Sequence, residues 1–392
     1  MAWRDRLLLA RMQAATISTR LAVSRIARSS TRHAPPPRDG PMRVLLLASQ
    51  PAIHAATRHR LSIWADRLRR AGHHVLLSLP VESDEGERLF QWPDGAARLE
   101  FHRRVLESRR RAVEVAHEFD VAVVHLTDVP YWEYGSPFVA AALARTAGRV
   151  LLDLDDLPVV RGEQTPHPRA VRLVDAVDGL VLGNRELRAW FPDRPAWIVP
   201  TCIDTDAWPA PAPRASGKPP ILGWIGTAGG LGPLEALAPV LAAVCARHGA
   251  RVRVICDVPA RLPGVPAEFV GWRGGHEPED LAEIDVGLAP LADGPVERCK
   301  CGLKALEYSA SSAPVVASPV GALAEIVVHG ETGLHASSPD AWAAALDALL
   351  TDRSLRSRMG AAGRAAVERR WSVDAHAAGF ESALRGGPTG AA

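Results

Sequence analysis

Lysine is almost missing from this chain. Of 46 basic residues, only Lys218, Lys300 and Lys304 are lysine; the rest are arginine, a bias of the kind codon composition produces. Against that background, two lysines within five positions stand out. Cysteine is also scarce. Cys202, Cys245, Cys256, Cys299 and Cys301 show no metal-ligand spacing, and Cys299-Lys300-Cys301 lacks a second pair or a neighbouring histidine. They read as reduced thiols of a cytoplasmic protein, not as a disulfide framework. No uninterrupted apolar run of about 18 residues occurs, so no membrane-spanning helix is indicated. A net charge of +2 gives no argument for nucleic acid. What is present is ample apolar material, 47% of 392 residues, enough for two buried cores.

The charge is unevenly placed. Residues 1–41 hold eight arginines against Asp5 and Asp39, and end in Ala34-Pro-Pro-Pro-Arg38. Charges interrupt the apolar stretch, so the segment does not read as a secretory signal. Three readings stand open: a disordered tail, an amphipathic arm touching anionic lipid at the inner face of the membrane, or upstream sequence that is not translated. Met42 directly precedes the first strand, which keeps the third reading in play.

From Arg43 onward, strand and helix patterns alternate. Apolar runs at 44–48, 75–79, 121–126, 150–154 and 179–182 predict strands covered on both faces. Leu61, Trp64, Ala65, Leu68 and Ala71 follow helical spacing, and Gly72 stands where a helix ends. Residues 209–220 have the proline-rich composition of a linker. A second series then predicts strands at 221–225, 251–256, 267–271, 285–289 and 314–317. Helices are predicted at 232–247, 302–312, 321–328, 339–350 and 354–370, then one at 372–385 that could return to the first domain, and a tail at 386–392. The fold class expected is α/β: two doubly wound parallel-sheet domains, 42–208 and 221–371. In such sheets ligands bind beyond the carboxyl ends of strands.

Three post-strand segments of the second domain carry chemistry. The first is Gly226-Thr-Ala-Gly-Gly-Leu-Gly232, in which Gly226, Thr227 and Gly229 are placed to let backbone N–H groups approach a phosphate. It matches neither the dinucleotide fingerprint nor the P-loop, which argues against a dehydrogenase or an NTPase. The second is Glu297-Arg-Cys-Lys-Cys-Gly-Leu-Lys-Ala-Leu-Glu307. Lys300 and Lys304 flank a helix start at Gly302 and Leu303, where positive charge is unfavourable unless an anion sits opposite. Glu307 falls on the same helix face as Lys304. The third is Ser318-Pro-Val-Gly-Ala-Leu-Ala-Glu325, where Gly321 permits close approach and Glu325 lies in a first turn. In the first domain His125 ends a strand, and Asp153, Asp155 and Asp156 crowd another. Such a crowd calls for cations or hydrogen-bond donors, Arg161 among them. Arg58, His59 and Arg60 open the first helix, to meet an anionic acceptor or solvent.

The stretch Asp285-Val-Gly-Leu-Ala-Pro, Lys304-Ala-Leu-Glu307-Tyr, Ala313-Pro-Val-Val-Ala-Ser-Pro-Val-Gly321, Glu325-Ile-Val and Gly330-Glu-Thr-Gly333 closely resembles the signature of glycosyltransferase family 4, or group 1. Gly223-Trp-Ile-Gly226, Val199-Pro-Thr-Cys-Ile-Asp204 and Leu152-Asp-Leu-Asp-Asp156 extend the resemblance over roughly residues 42–385. It implies the GT-B fold, two Rossmann-like domains facing a cleft. It also implies transfer from a UDP- or GDP-linked sugar, with retention, to a saccharide or lipid-linked hydroxyl of the kind found in cell-envelope polysaccharide. No metal or further cofactor is implied. Glu307 would bind the nucleotide ribose, Lys304 the diphosphate, and His125 would lie near the transferred sugar. The chain departs from the family at one point: the first glutamate of the paired-glutamate motif falls at Cys299. That departure keeps two rivals open, a non-catalytic GT-B protein that binds nucleotide-sugar and a GT-B nucleotide-sugar epimerase.

Overall fold

The computed structural model describes residues 3–81, 95–129, 137–159, 164–209 and 218–389. Arg161 and residues 210–217 of the expected linker lie outside them. The chain forms two compact units, Met1–Pro200 with Ala377–Ala392, and Thr201–His376.

The first unit is built on β1 (Arg43–Leu47), β2 (His74–Ser78), β3 (Val121–His125), β4 (Val150–Leu154), β5 (Gly179–Leu182) and β6 (Ala196–Ile198). All pairings are parallel, in the order β2-β1-β3-β4-β5-β6. Apart from exposed Arg43, the residues of β1, β3, β4 and β5 are all buried and mostly apolar, as strands covered by helices on each side must be. The helix Val373–Arg385 contributes to this unit through Phe380, which packs on Trp64 with ring centres 4.5 Å apart.

The second unit holds β7 (Ile221–Ile225), β8 (Arg251–Cys256), β9 (Ala267–Gly271), β10 (Val286–Ala289), β11 (Val315–Ala317) and β12 (Gly333–His335), again all parallel, in the order β12-β11-β10-β7-β8-β9. The chain leaves β7 in one direction through β8 and β9, then returns to β7's other side with β10. The order therefore reverses between β7 and β10, and in the first unit between β1 and β3. Crevices for ligands open at such reversals.

The parting of the strands at that reversal in the second unit has a local cause. Registered pairing of β7 with β10 ends at Gly223↔Gly287. Beyond it the Tyr308 hydroxyl accepts from the Ile225 N–H at 2.9 Å and donates to the Leu288 carbonyl at 3.4 Å. The phenol so substitutes for the missing ladder bonds and lets the strands part. Gly287 is required beneath it, because a Cβ there would lie 2.3 Å from the Tyr308 ring.

Residues 3–29 differ from the tail reading. They form one helix, α1 (Trp3–Ser29), which packs on the helices Gly95–Val115 and Phe138–Thr146. Met12, Thr16, Val23 and Ala27 are its buried face. The Thr16 hydroxyl donates to the Met12 carbonyl at 2.9 Å, so it accepts from His102 Nε2, also at 2.9 Å. Helical periodicity of the apolar residues, masked in the sequence by intervening arginines, is the physical reason the segment docks. Among the described residues, no single helix is long and apolar enough to cross a membrane.

Candidate functional site

In the second unit the loop after β7 and the helix start after β10 meet at one side chain. Lys304, half-buried in the first turn of the helix Leu303–Ala310, places Nζ 4.6 Å from the ring centre of Trp224. A Cβ on Gly226 would lie 2.7 Å from Lys304 Cε, and one on Gly230 would lie 3.2 Å from Nζ. The glycine-rich loop is thus a slot for the lysine. Close packing of Lys304 is one task of the loop's glycines. Three of the loop's N–H groups already bond within the protein: Gly226 to the Ile255 carbonyl at 3.0 Å, Ala228 to Asp257 Oδ1 at 3.0 Å, and Gly230 to the Thr227 carbonyl at 2.9 Å. Thr227 and Gly229 remain exposed at the loop's crest.

Burial, and after it the nearby Lys300 charge, push the Lys304 ammonium down to about 8, with Glu307 acting in the opposite direction. Lys304 has no ion-pair partner among the described residues. Lys300 is exposed just before the helix, and Glu307 is buried one turn further along it. Gly302 starts the helix in a left-handed conformation, φ 69°, and no side chain caps that end. Uncapped N–H groups and a dipole's positive end therefore stand beside Lys304. Leu303 turns into the core.

The third segment locks against the second. Gly321 has φ 51° and ψ −133°, a conformation only glycine adopts readily, and a Cβ there would sit 2.2 Å from the Arg298 carbonyl oxygen. Ser318 Oγ accepts from the Leu291 N–H at 3.0 Å. Glu325 lies exposed in the short helix Ala322–Ile326. Cys299, where the resemblance places a glutamate, is fully buried, and its thiol donates to the Pro295 carbonyl at 3.3 Å. It packs the loop's base.

The first unit gathers a second cluster at its own reversal. His125 is buried, with Nε2 3.2 Å from Asp155 Oδ1 and 3.9 Å from Asp153 Oδ2. Burial alone would raise Asp155, but the His125 imidazole and then Arg60 outweigh it and hold the carboxyl well below the usual carboxylate range. Leu126, with φ 58°, makes the bend that aims this strand end, a strained placement for a branched side chain. Arg60 is not available to an acceptor or to solvent. It is buried, bonded to Asp153 through Nε at 3.1 Å and through Nη2, and its Nη1 donates to the Val199 carbonyl at 2.8 Å. Asp156 Oδ1 accepts from the Leu157 N–H.

His54 was not singled out by its residue type. It caps the helix Ala55–Thr57, its Nδ1 accepting from the Ala56 N–H at 3.3 Å. Burial pushes it down to about 4, Asp155 opposing and His125 and Arg58 reinforcing. The signal that could have found it is position, since residues 49–58 follow the strand at the reversal. Among the described residues, no group of three His, Cys, Asp or Glu side chains is placed to hold a metal ion.

Residues 221–352 match the family model described as glycosyl transferases group 1. The chain is 41% identical over 116 residues to the D-inositol 3-phosphate glycosyltransferase of Corynebacterium diphtheriae, 29% of this chain and 25% of that one. It is 42% identical over 87 residues, 22% and 23% of the two chains, to the GDP-mannose-dependent alpha-(1-6)-phosphatidylinositol monomannoside mannosyltransferase of Mycobacterium tuberculosis. The matched stretches span only 15–25% of the length of the first such relatives. Among solved structures, Anabaena HepE in complex with UDP and glucose aligns with a TM-score of 0.65 and 15% identity over 88% of this chain and all of that one. That likeness establishes the architecture: two parallel six-stranded sheets flanked by helices, the GT-B fold.

Proposed function

We propose that this protein transfers a glycosyl group from a nucleotide-diphosphate sugar to an acceptor hydroxyl. A bond forms between the acceptor oxygen and the anomeric carbon. The bond from that carbon to the diphosphate oxygen breaks, and the nucleoside diphosphate leaves with the electron pair. The acceptor proton passes to solvent. The observation that carries this reading is Lys304, a half-buried ammonium with no carboxylate bound to it, at an uncapped helix start on the strand reversal. A cation so placed stabilises charge that develops on a leaving diphosphate. In this reading Glu307 holds the ribose, Lys300 and the turn at Gly321 flank the phosphates, and protein charge does the work a metal ion does elsewhere. His125 orients Asp155 on the acceptor side, and configuration at the anomeric carbon is retained. The Anabaena neighbour's UDP and the mycobacterial relative's GDP-mannose make UDP- and GDP-sugars the donors to try first.

The test is product formation from UDP- and GDP-sugars with saccharide and lipid-linked acceptors, in the presence of a chelator. Transfer should proceed, and Lys304→Ala should lower its rate about 10²–10³-fold. Loss of transfer on chelation overturns the metal-free mechanism. Cys299 supports a second reading, a binding protein without transferase activity, because its buried thiol leaves no carboxylate at that position. Tight nucleotide-sugar binding with no turnover across the panel would favour it. Conversion of donor alone would point to an epimerase.

A further inference from the structure

Seven large hydrophobic side chains lie exposed among the described residues, and three belong to α1: Leu7 at 44%, Ile17 at 59% and Leu21 at 63%. They are not on the face that docks. Leu7, Ala10, Ala14, Ile17 and Leu21 recur at alternating spacings of three and four, so they form one outward stripe opposite Met12, Thr16 and Val23. The stripe is about 20 Å long at 1.5 Å per residue. Arg6, Arg11, Arg25 and Arg28 lie on the same outward half, and Arg20 borders the docked face, four residues after Thr16. All five are exposed, and none has an ion-pair partner among the described residues. No acidic residue occurs from Arg6 to Ser29.

We propose that this face of α1 docks the protein on an anionic membrane surface. Leu7, Ile17 and Leu21 enter the boundary between headgroups and acyl chains, and the arginines lie among anionic headgroups. Charge decides between the possible occupants. A second copy would set four arginines against four, with no acid on either side to offset them. A bilayer rich in anionic lipid supplies a flat, apolar and negatively charged surface at once. The helix is already formed and held by its other face, so docking does not carry the cost of ordering it. The inference stands apart from glycosyl transfer, and its readout needs no activity.

The experiment is vesicle flotation of the full chain. Phosphatidylcholine vesicles containing about one-third phosphatidylglycerol should carry the protein at low salt, and pure phosphatidylcholine vesicles should not. The variant Leu7→Ser/Ile17→Ser/Leu21→Ser should lower partitioning at least about tenfold. Each of Arg25→Gln and Arg28→Gln should lower it about fivefold. All these side chains face solvent, so thermal melting should not move. Absence of binding to the anionic vesicles overturns the proposal, as does equal partitioning of wild type and the triple serine variant. A concentration-dependent dimer in light scattering that the serine variant abolishes would overturn it in favour of self-association.

Discussion

Lys304 is held where an ammonium is poorly solvated, between the Trp224 ring and the Gly226 and Gly230 backbone. Its pKa falls from 10.5 to about 8. Between those values the unfolded chain binds more protons than the folded one. This group therefore destabilises the fold below about pH 8, and the cost is relieved as pH rises toward 10.5. A bound diphosphate acts in the opposite direction, because it favours the charged form. Affinity for UDP or GDP should accordingly be full below about pH 8 and fall as pH rises past it, by up to tenfold per unit. Calorimetric titration from neutral to alkaline pH measures this. Lys304→Met should flatten the profile and leave binding of the free nucleoside unchanged. A flat profile in the wild type would remove Lys304 from the diphosphate.

At the scale of elements, the turn that opens the helix Ala322–Ile326 is the least tolerant. Gly321→Ala puts a methyl 2.2 Å from the Arg298 carbonyl in a conformation that disfavours any side chain, so the loops after β10 and β11 must separate. Urea unfolding should show a loss of about 2–4 kcal/mol. Gly232→Ala is the control. Nothing lies within 4 Å of its Cβ, and the helix Leu231–Ala236 should gain about 0.5–1 kcal/mol. Equal effects would mean that the close approach at Gly321 does not constrain the site. The glycine pattern was legible as a pattern because Gly226 and Gly321 each follow an apolar run and Gly302 stands at a helix start. Which glycine does what was not, since that depends on Lys304, Ile326 and Arg298, which arrive from other segments. The same holds for the Asp153 cluster. Its carboxylates announced a need for cations, but Arg60, 93 residues away, could be matched to Asp153 only in three dimensions. Central strands declared themselves through buried apolar runs. β6 and β12 did not, being three-residue edge strands with too few positions to show a period.

The molecule as a whole carries an acid sensitivity that its composition does not announce. Two histidines of the first unit, His54 and His102, are pushed down by burial to about 4. In the unfolded chain both titrate near 6.5, so between those limits the unfolded state takes up protons that the folded state refuses. Stability supplied by the neutral imidazoles is complete above about 6.5 and is lost as pH falls toward 4, on the order of 3 kcal/mol for each group. His102 bonds to Thr16 at 2.9 Å and ties α1 to the helix Gly95–Val115. Acid should therefore release α1 before it disturbs β7–β12. Hydrogen exchange between pH 7 and 5 resolves the order, with residues 6–29 losing protection first. His102→Gln keeps an N–H for the Thr16 hydroxyl and removes one titration. It should lower the proton uptake on unfolding by about one near pH 5 and preserve α1 protection there. If proton uptake is unchanged in His102→Gln, the buried imidazole is not what makes α1 acid-sensitive, and its docking must fail through the apolar contacts of Met12 and Val23 instead.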